Sequence, residues 1–218
     1  MAMNPALIET IAIAVFSRAP VPGQAKTRLI PSLGSEGAAR LQRAFLRRTL
    51  QTAVSAQLGP VSLWCAPGCA HPAFQQCRVD FDLPLHRQCD GDLGKRMVAA
   101  FERLCVQYPV LLIGTDCPAL MPAHLHRAAN ALREGNDAVF LPAEDGGYVL
   151  AGLRRVEHRL FTDMPWGSAD VMAATRRRLL QSALRWREPA LLWDVDDAED
   201  LARLRSSGLM KAWFEENE

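Results

Sequence analysis

The stretch "YPVLLIGTDCPAL", Tyr108 to Leu120, decides how this chain is read. Val110, Leu111, Leu112 and Ile113 form an unbroken apolar run of strand length, the pattern of a strand buried on both faces. The run stops on Gly114, Thr115, Asp116, Cys117 and Pro118, so a buried strand delivers one carboxylate at its tip. In open α/β sheets ligands bind beyond the carboxyl ends of the strands, which is where Asp116 falls. The plainer use of such an Asp is to cap the turn before Pro118.

Outward from this stretch, strand and helix patterns alternate. Strands are expected at residues 10–16, 60–65, 110–113, 137–143, 147–153 and 189–195, with a weaker one over Val79 to Leu85. Helices are expected over Ser35 to Gln57, from about Asp92, from Pro122 (in its first turn) to Glu134, over Ala169 to Ala183, and from Ala198 to Leu204. No linker, repeat or low-complexity segment intervenes. The expected architecture is one α/β domain over residues 1–218, with a mostly parallel central sheet and helices on both faces.

Bulk properties narrow the function. The 218 residues carry 25 Lys+Arg against 24 Asp+Glu, a formal charge of +1 that argues against non-specific nucleic-acid binding. No Lys or Arg precedes Arg18, and the apolar run from Ile11 to Phe16 is shorter than a membrane span, so a cytoplasmic protein is expected. The six cysteines form no CxxC pair, and the spacing of Cys65, Cys69, His71 and Cys77 fits no common zinc pattern, so reduced thiols are expected. The sequence has no GxxxxGK[ST], GxGxxG, GxSxG or HExxH motif, which sets aside P-loop, dinucleotide-binding and serine-hydrolase chemistry.

Five clusters remain at strand ends. "FSRAPVPGQAKTRLIPSLG" (16–34) is a proline-stiffened loop leading to Lys26, Thr27 and Arg28, two cations and a hydroxyl suited to phosphate. "GDLGKRM" (91–97) opens a helix with two glycines, where free N–H groups favour anions; an Asp92 N-cap explains it equally well. "PAEDGGYVLAGL" (142–153) places Glu144 and Asp145 in a hairpin-like turn. In "MPWGSADV" (164–171), Trp166 suits the floor of a sugar or base site, or the core. "LLWDVDDAEDL" (191–201) runs into Asp194, Asp196 and Asp197, more acids than one helix cap requires. If the ends at Asp116 and at Asp194–Asp197 lie close together, their carboxylates make an oxygen-rich site for Mg²⁺ or Mn²⁺ beside a diphosphate held by Lys26 and Arg28.

In this order the elements "PVPGQAKTRL", "GDLGKRM", "LLIGTDCPAL", "PAEDGGYVLAGL", "MPWGSADV" and "VDDAEDL" resemble a family of bacterial glycosyltransferases with the GT-A, nucleotide-diphospho-sugar transferase-like fold. These are the radical-SAM and selenodomain-associated transferases, related to molybdenum-cofactor and 2-phospholactate guanylyltransferases. The resemblance implies that Arg18, Lys26, Thr27 and Arg28 hold a nucleotide, with Gly91, Asp92 and Gly94 along its base or ribose. It implies Asp116 as the metal-binding aspartate, with Asp196 or Asp194 as a further ligand. Gly146, Gly147, Tyr148 and Trp166 would border the sugar or acceptor, and Asp145 or Glu144 would serve as base. The chain departs from the family pattern in having a single acid in "GTDCP" and Asp197-Ala198 where Thr-Pro is usual.

Two chemistries share these residues. One is metal-dependent glycosyl transfer from a nucleotide-diphosphate sugar to a small-molecule acceptor. The other is nucleotidyl transfer from a nucleoside triphosphate with release of pyrophosphate. Proline in place of glycine in the first loop favours the former. A non-catalytic nucleotide-binding relative is the third reading. Neither a nucleic-acid partner nor a membrane is expected.

Overall fold

The computed structural model describes residues 9–217. Seven strands form one sheet: β1 (Ala12–Arg18), β2 (Val61–Ala66), β3 (Leu85–Arg87), β4 (Val110–Ile113), β5 (Ala138–Pro142), β6 (Tyr148–Leu153) and β7 (Trp186–Arg187), in the order β3-β2-β1-β4-β6-β5-β7. Only β6 runs against its neighbours, so the sheet is mostly parallel. The helices are α1 (Ile30–Ser55), α2 (Pro72–Phe81), α3 (Leu93–Leu104), α4 (Pro122–Arg133), α5 (Val171–Gln181), α6 (Ala198–Ser207) and α7 (Lys211–Asn217).

The two-residue period of β1 explains the layering. Ile11, Ile13 and Val15 face one core with Leu46 and Leu50 of α1, Phe74 of α2 and Leu125 of α4. Ala12, Ala14 and Phe16 face the other with Met97 and Phe101 of α3 and Met172 and Leu179 of α5. β4 lies between β1 and β6, and all four of its residues are buried, as a strand covered on both faces must be. A smaller core joins Leu41 and Phe45 of α1 to Leu201 and Leu204 of α6 and Phe214 of α7, and so ties the C-terminal segment to the sheet edge where β1 and β4 end.

Two expected strands are corrected. Val79, Phe81, Leu83 and Leu85 alternate like a strand, yet Val79 and Phe81 belong to α2, which starts with Pro72 and is capped by the His71 ring accepting from the Ala73 N–H at 3.2 Å. Val79 is exposed, and the strand begins only at Leu85. Residues 189–195 contain no strand. Only Leu192 bridges to Ala143, and the regular pairing is two residues long, at Trp186–Arg187.

Candidate functional site

The carboxyl ends of β1, β4 and β5 and the start of β6 open into one cavity of about 670 Å³. The β5–β6 turn reaches its position because Gly146 has φ +91°, and a Cβ there would lie 2.1 Å from the Ala169 carbonyl oxygen. The Gly146 carbonyl in turn accepts from the Met172 N–H at 2.8 Å, docking the turn on α5. Two buried glutamines fasten the strand ends. Gln42 Nε2 donates to Thr115 Oγ1 at 3.1 Å and Gln88 Nε2 to the Trp64 carbonyl at 2.8 Å.

Four aspartates face the cavity: Asp116, Asp145, Asp194 and Asp196. Asp145, Asp194 and Asp196 each offer a carboxylate oxygen, all within 4.8 Å of one another, and this is the one such group of three or more metal-ligating side chains among the described residues. Burial, and then the charges of Asp145 and Asp196, push the Asp194 carboxyl up to about 7. The donors are all hard oxygens under mutual repulsion, which fits Mg²⁺ or Mn²⁺ and does not fit a thiophilic ion. Cys65, Cys69, His71 and Cys77 make no such group, and all six cysteines are free thiols.

Asp116 is placed differently from the other three. Its Oδ1 lies 2.7 Å from Lys26 Nζ, which also donates to Asp196 Oδ1 at 3.1 Å and to the Val195 carbonyl at 2.6 Å. Burial pulls the Lys26 ammonium down, but Asp116 and Asp196 outweigh it, so the group is held above its ordinary value. Lys26 is thus brought to the carboxylates expected to hold metal. Arg18, Thr27 and Arg28 line the same cavity, and neither guanidinium has a hydrogen-bond or ion-pair partner among the described residues.

"GDLGKRM" enters the site by other residues than its glycines. Leu93 and Arg96 line the cavity. Asp92 caps α3 by accepting from the Lys95 N–H at 2.8 Å, and a Cβ on Gly94 would lie 2.2 Å from the Phe161 carbonyl oxygen, so these two residues serve the packing of α3. Gly91 has φ +123° and its carbonyl accepts from Arg96 Nε at 3.0 Å, which aims that side chain. Gly147, Tyr148 and Trp166 line the cavity, while Gly146 is behind them in the turn. The Tyr148 and Trp166 rings meet edge to face at 6.2 Å, and burial pushes the Tyr148 phenol up, so it stays neutral. Trp166 Nε1 is sealed from solvent with no hydrogen-bond partner among the described residues. Glu144 is held by both oxygens to Arg203, at 2.6 and 3.0 Å, and Arg203 also stacks 4.3 Å above Trp193, whereas Asp145 beside it lines the cavity.

Gln42, Gln88, Thr115, Arg96 and Ser168 are in the site without having been picked out from the sequence. Thr115, Arg96 and Ser168 lie inside the sequence clusters. Nothing in the local sequence of α1 marks Gln42.

The sequence profile of a family described as "Uncharacterized protein conserved in bacteria (DUF2064)" matches residues 49–168. No curated protein sequence matches. The crystal structure of a candidate nucleotide-diphospho-sugar transferase from Desulfovibrio desulfuricans G20 is similar over 92% of this chain and 88% of that one, at 30% identity and a TM-score of 0.83. More distant likeness extends to CMP:2-keto-3-deoxy-manno-octonic acid synthetase complexed with CTP (14% identity, 93% and 100% of the chains, TM-score 0.59). It extends also to glucosyl-3-phosphoglycerate synthase from Mycobacterium tuberculosis with Mn²⁺, UDP and glucosyl-3-phosphoglycerate (10% identity, 93% and 77%, TM-score 0.55). These last two share the fold. The fold is that of the nucleotide-diphospho-sugar transferases. Among the described residues no helix is long and apolar enough to cross a membrane.

Proposed function

The chain belongs to the DUF2064 family, and from its site we propose a transferase that binds a nucleoside diphosphate through a divalent cation and passes the attached sugar to a small acceptor. The observation that carries this reading is the group formed by Asp145, Asp194 and Asp196 at the carboxyl edge of the sheet, in the cavity that Arg18 and Arg28 also line without a partner among the described residues. Acids alone would repel a diphosphate. Acids with a divalent ion, flanked by guanidinium groups, attract one.

Asp145, Asp194 and Asp196 would hold the cation. When bound, it neutralises charge that gathers on the leaving diphosphate as the glycosidic bond breaks. Arg18 and Arg28, which line the same cavity, would donate to the phosphate oxygens. Their attraction grows as that charge develops, so it favours the transition state over the ground state. The Asp145 Oδ1 already accepts from the Gly147 N–H at 2.8 Å, which fixes the carboxylate against the turn. Trp166 and Tyr148, whose rings meet edge to face, would form an aromatic wall of the cavity, with the Trp166 N–H turned away from it towards Gly94.

The test is thermal unfolding with UDP, GDP, UDP-glucose, GTP and CTP, each with Mn²⁺, Mg²⁺ or EDTA. A ligand at 100 times its Kd adds about 2.7 kcal/mol, roughly 5–10 °C for a chain of this size. We expect a metal-dependent rise with one nucleoside diphosphate and its sugar, lost in Asp196→Asn. A rise confined to one triphosphate assigns nucleotidyl transfer instead, and no rise with any ligand overturns the reading.

A further inference from the structure

Lys26 stands in a proline-stiffened loop that suggests a phosphate contact, but its ammonium is already engaged. An ammonium has three N–H donors. Lys26 Nζ has three oxygen partners: the Val195 carbonyl at 2.6 Å, Asp116 Oδ1 at 2.7 Å and Asp196 Oδ1 at 3.1 Å. Its side chain is 6% exposed, and the Phe45 ring centroid lies 5.6 Å from Nζ, so water has little access to compete. The backbone is shaped for this contact too, since Lys26 has φ 48° and ψ 46°, a left-handed conformation unusual for a residue with a Cβ. Asp196 is also one of the three clustered carboxylates, so a single side chain faces both the ammonium and the place for the divalent ion.

We propose that Lys26 is a placeholder cation, which holds Asp116 and Asp196 in register and competes with the divalent ion for Asp196. The proposal rests on the metal-site reading given above. Lys26 is then a positioning residue and not a phosphate ligand; Arg18 and Arg28, which have no partner among the described residues, are left for the anion. The competition has a consequence for what the site accepts. A bare dication meets a fixed positive charge beside its ligands, whereas a dication carried by a diphosphate brings compensating negative charge. The site therefore prefers the metal–diphosphate complex to the free metal.

The test compares wild type, Lys26→Met and Lys26→Arg as full chains at pH 8, titrating Mn²⁺ alone and reading free Mn²⁺ by electron paramagnetic resonance. Met keeps the length of the apolar stem beside Phe45 and removes the charge. We expect Lys26→Met to bind Mn²⁺ at least about ten-fold tighter than wild type, because a repulsive charge and a competitor are both gone, and Lys26→Arg to stay near wild type. General structural damage moves the affinity the other way. Binding in Lys26→Met that is unchanged or weaker overturns the placeholder role and leaves the metal site standing. Absence of Mn²⁺ binding in every chain overturns the metal site and the proposal together. If Lys26→Met does not fold, Asp116→Asn and Lys26→Met/Asp116→Asn, which removes one of the uncompensated carboxylates, make the same comparison and the same gain is expected.

Discussion

Lys26 Nζ and Asp116 Oδ1 lie 2.7 Å apart, across 90 positions of sequence, and this contact joins the loop after β1 to the tip of β4. It explains why a buried strand delivers a carboxylate at its end. Asp116 anchors the ammonium that also grips Asp196 and the Val195 carbonyl, and the Val195 N–H donates back to the Asp116 carbonyl at 2.9 Å. The segment carrying Asp194 and Asp196 is thereby pinned beside β4 without belonging to the regular sheet.

Asp194 gives a pH-dependent prediction. In the metal-free protein its carboxyl is pushed up to about 7, against about 3.9 in an unfolded chain. Between those values the folded state binds more protons, so this residue lowers stability as pH rises. Asp194→Asn removes the ionisation. We expect the variant to melt above wild type at pH 8 in EDTA, and the advantage to vanish below about pH 4. Saturating Mn²⁺ should reverse the order at pH 8. Melting curves across pH with and without Mn²⁺ check all three points.

Arg28 should separate binding from stability. Its guanidinium is exposed and has no partner among the described residues. Arg28→Ala should change unfolding free energy by less than about 0.5 kcal/mol, as surface substitutions do. It should weaken the nucleoside diphosphate by roughly 10- to 100-fold, the loss expected for a hydrogen bond between charged groups. Urea unfolding and calorimetry give the two numbers.

Gly146 tests how the β5–β6 turn is held. Alanine there meets the Ala169 carbonyl oxygen at 2.1 Å with φ at +91°. We expect Gly146→Ala to cost roughly 2–4 kcal/mol in urea unfolding. Gly114→Ala, whose Cβ would have nothing within 4 Å, should stay within about 0.5 kcal/mol.

Much of this arrangement was legible in the sequence, for reasons that particular residues make plain. The run Val110–Ile113 has only one environment available, a sheet covered on both faces, and the elements around it follow from their periods. Family resemblance and local pattern together led to Asp116, Asp194 and Asp196. The strand expected over 79–85 failed because two apolar residues of a helix end and two of the following loop and strand happen to alternate. Residues 189–195 failed because their extended course is set by tertiary contacts at Leu192 and Val195 and not by a ladder. In the sequence Asp145 reads as a turn residue and a candidate base. Its place in the carboxylate group depends on how β5 and β6 approach residue 194, which no local pattern encodes. The same holds for Lys26. Its residue type suits phosphate, and only the fold reveals that two carboxylates and a carbonyl reach it first.

The most direct measurement is the anomalous scattering of crystals grown with Mn²⁺ and the nucleoside diphosphate that stabilises the protein. The account predicts one strong peak within coordination distance of carboxylate oxygens from Asp145, Asp194 and Asp196, with the diphosphate beside it and Arg18 and Arg28 turned towards the phosphates. A map with ordered side chains at these three residues and no peak among them, or with Mn²⁺ elsewhere in the molecule, would contradict it.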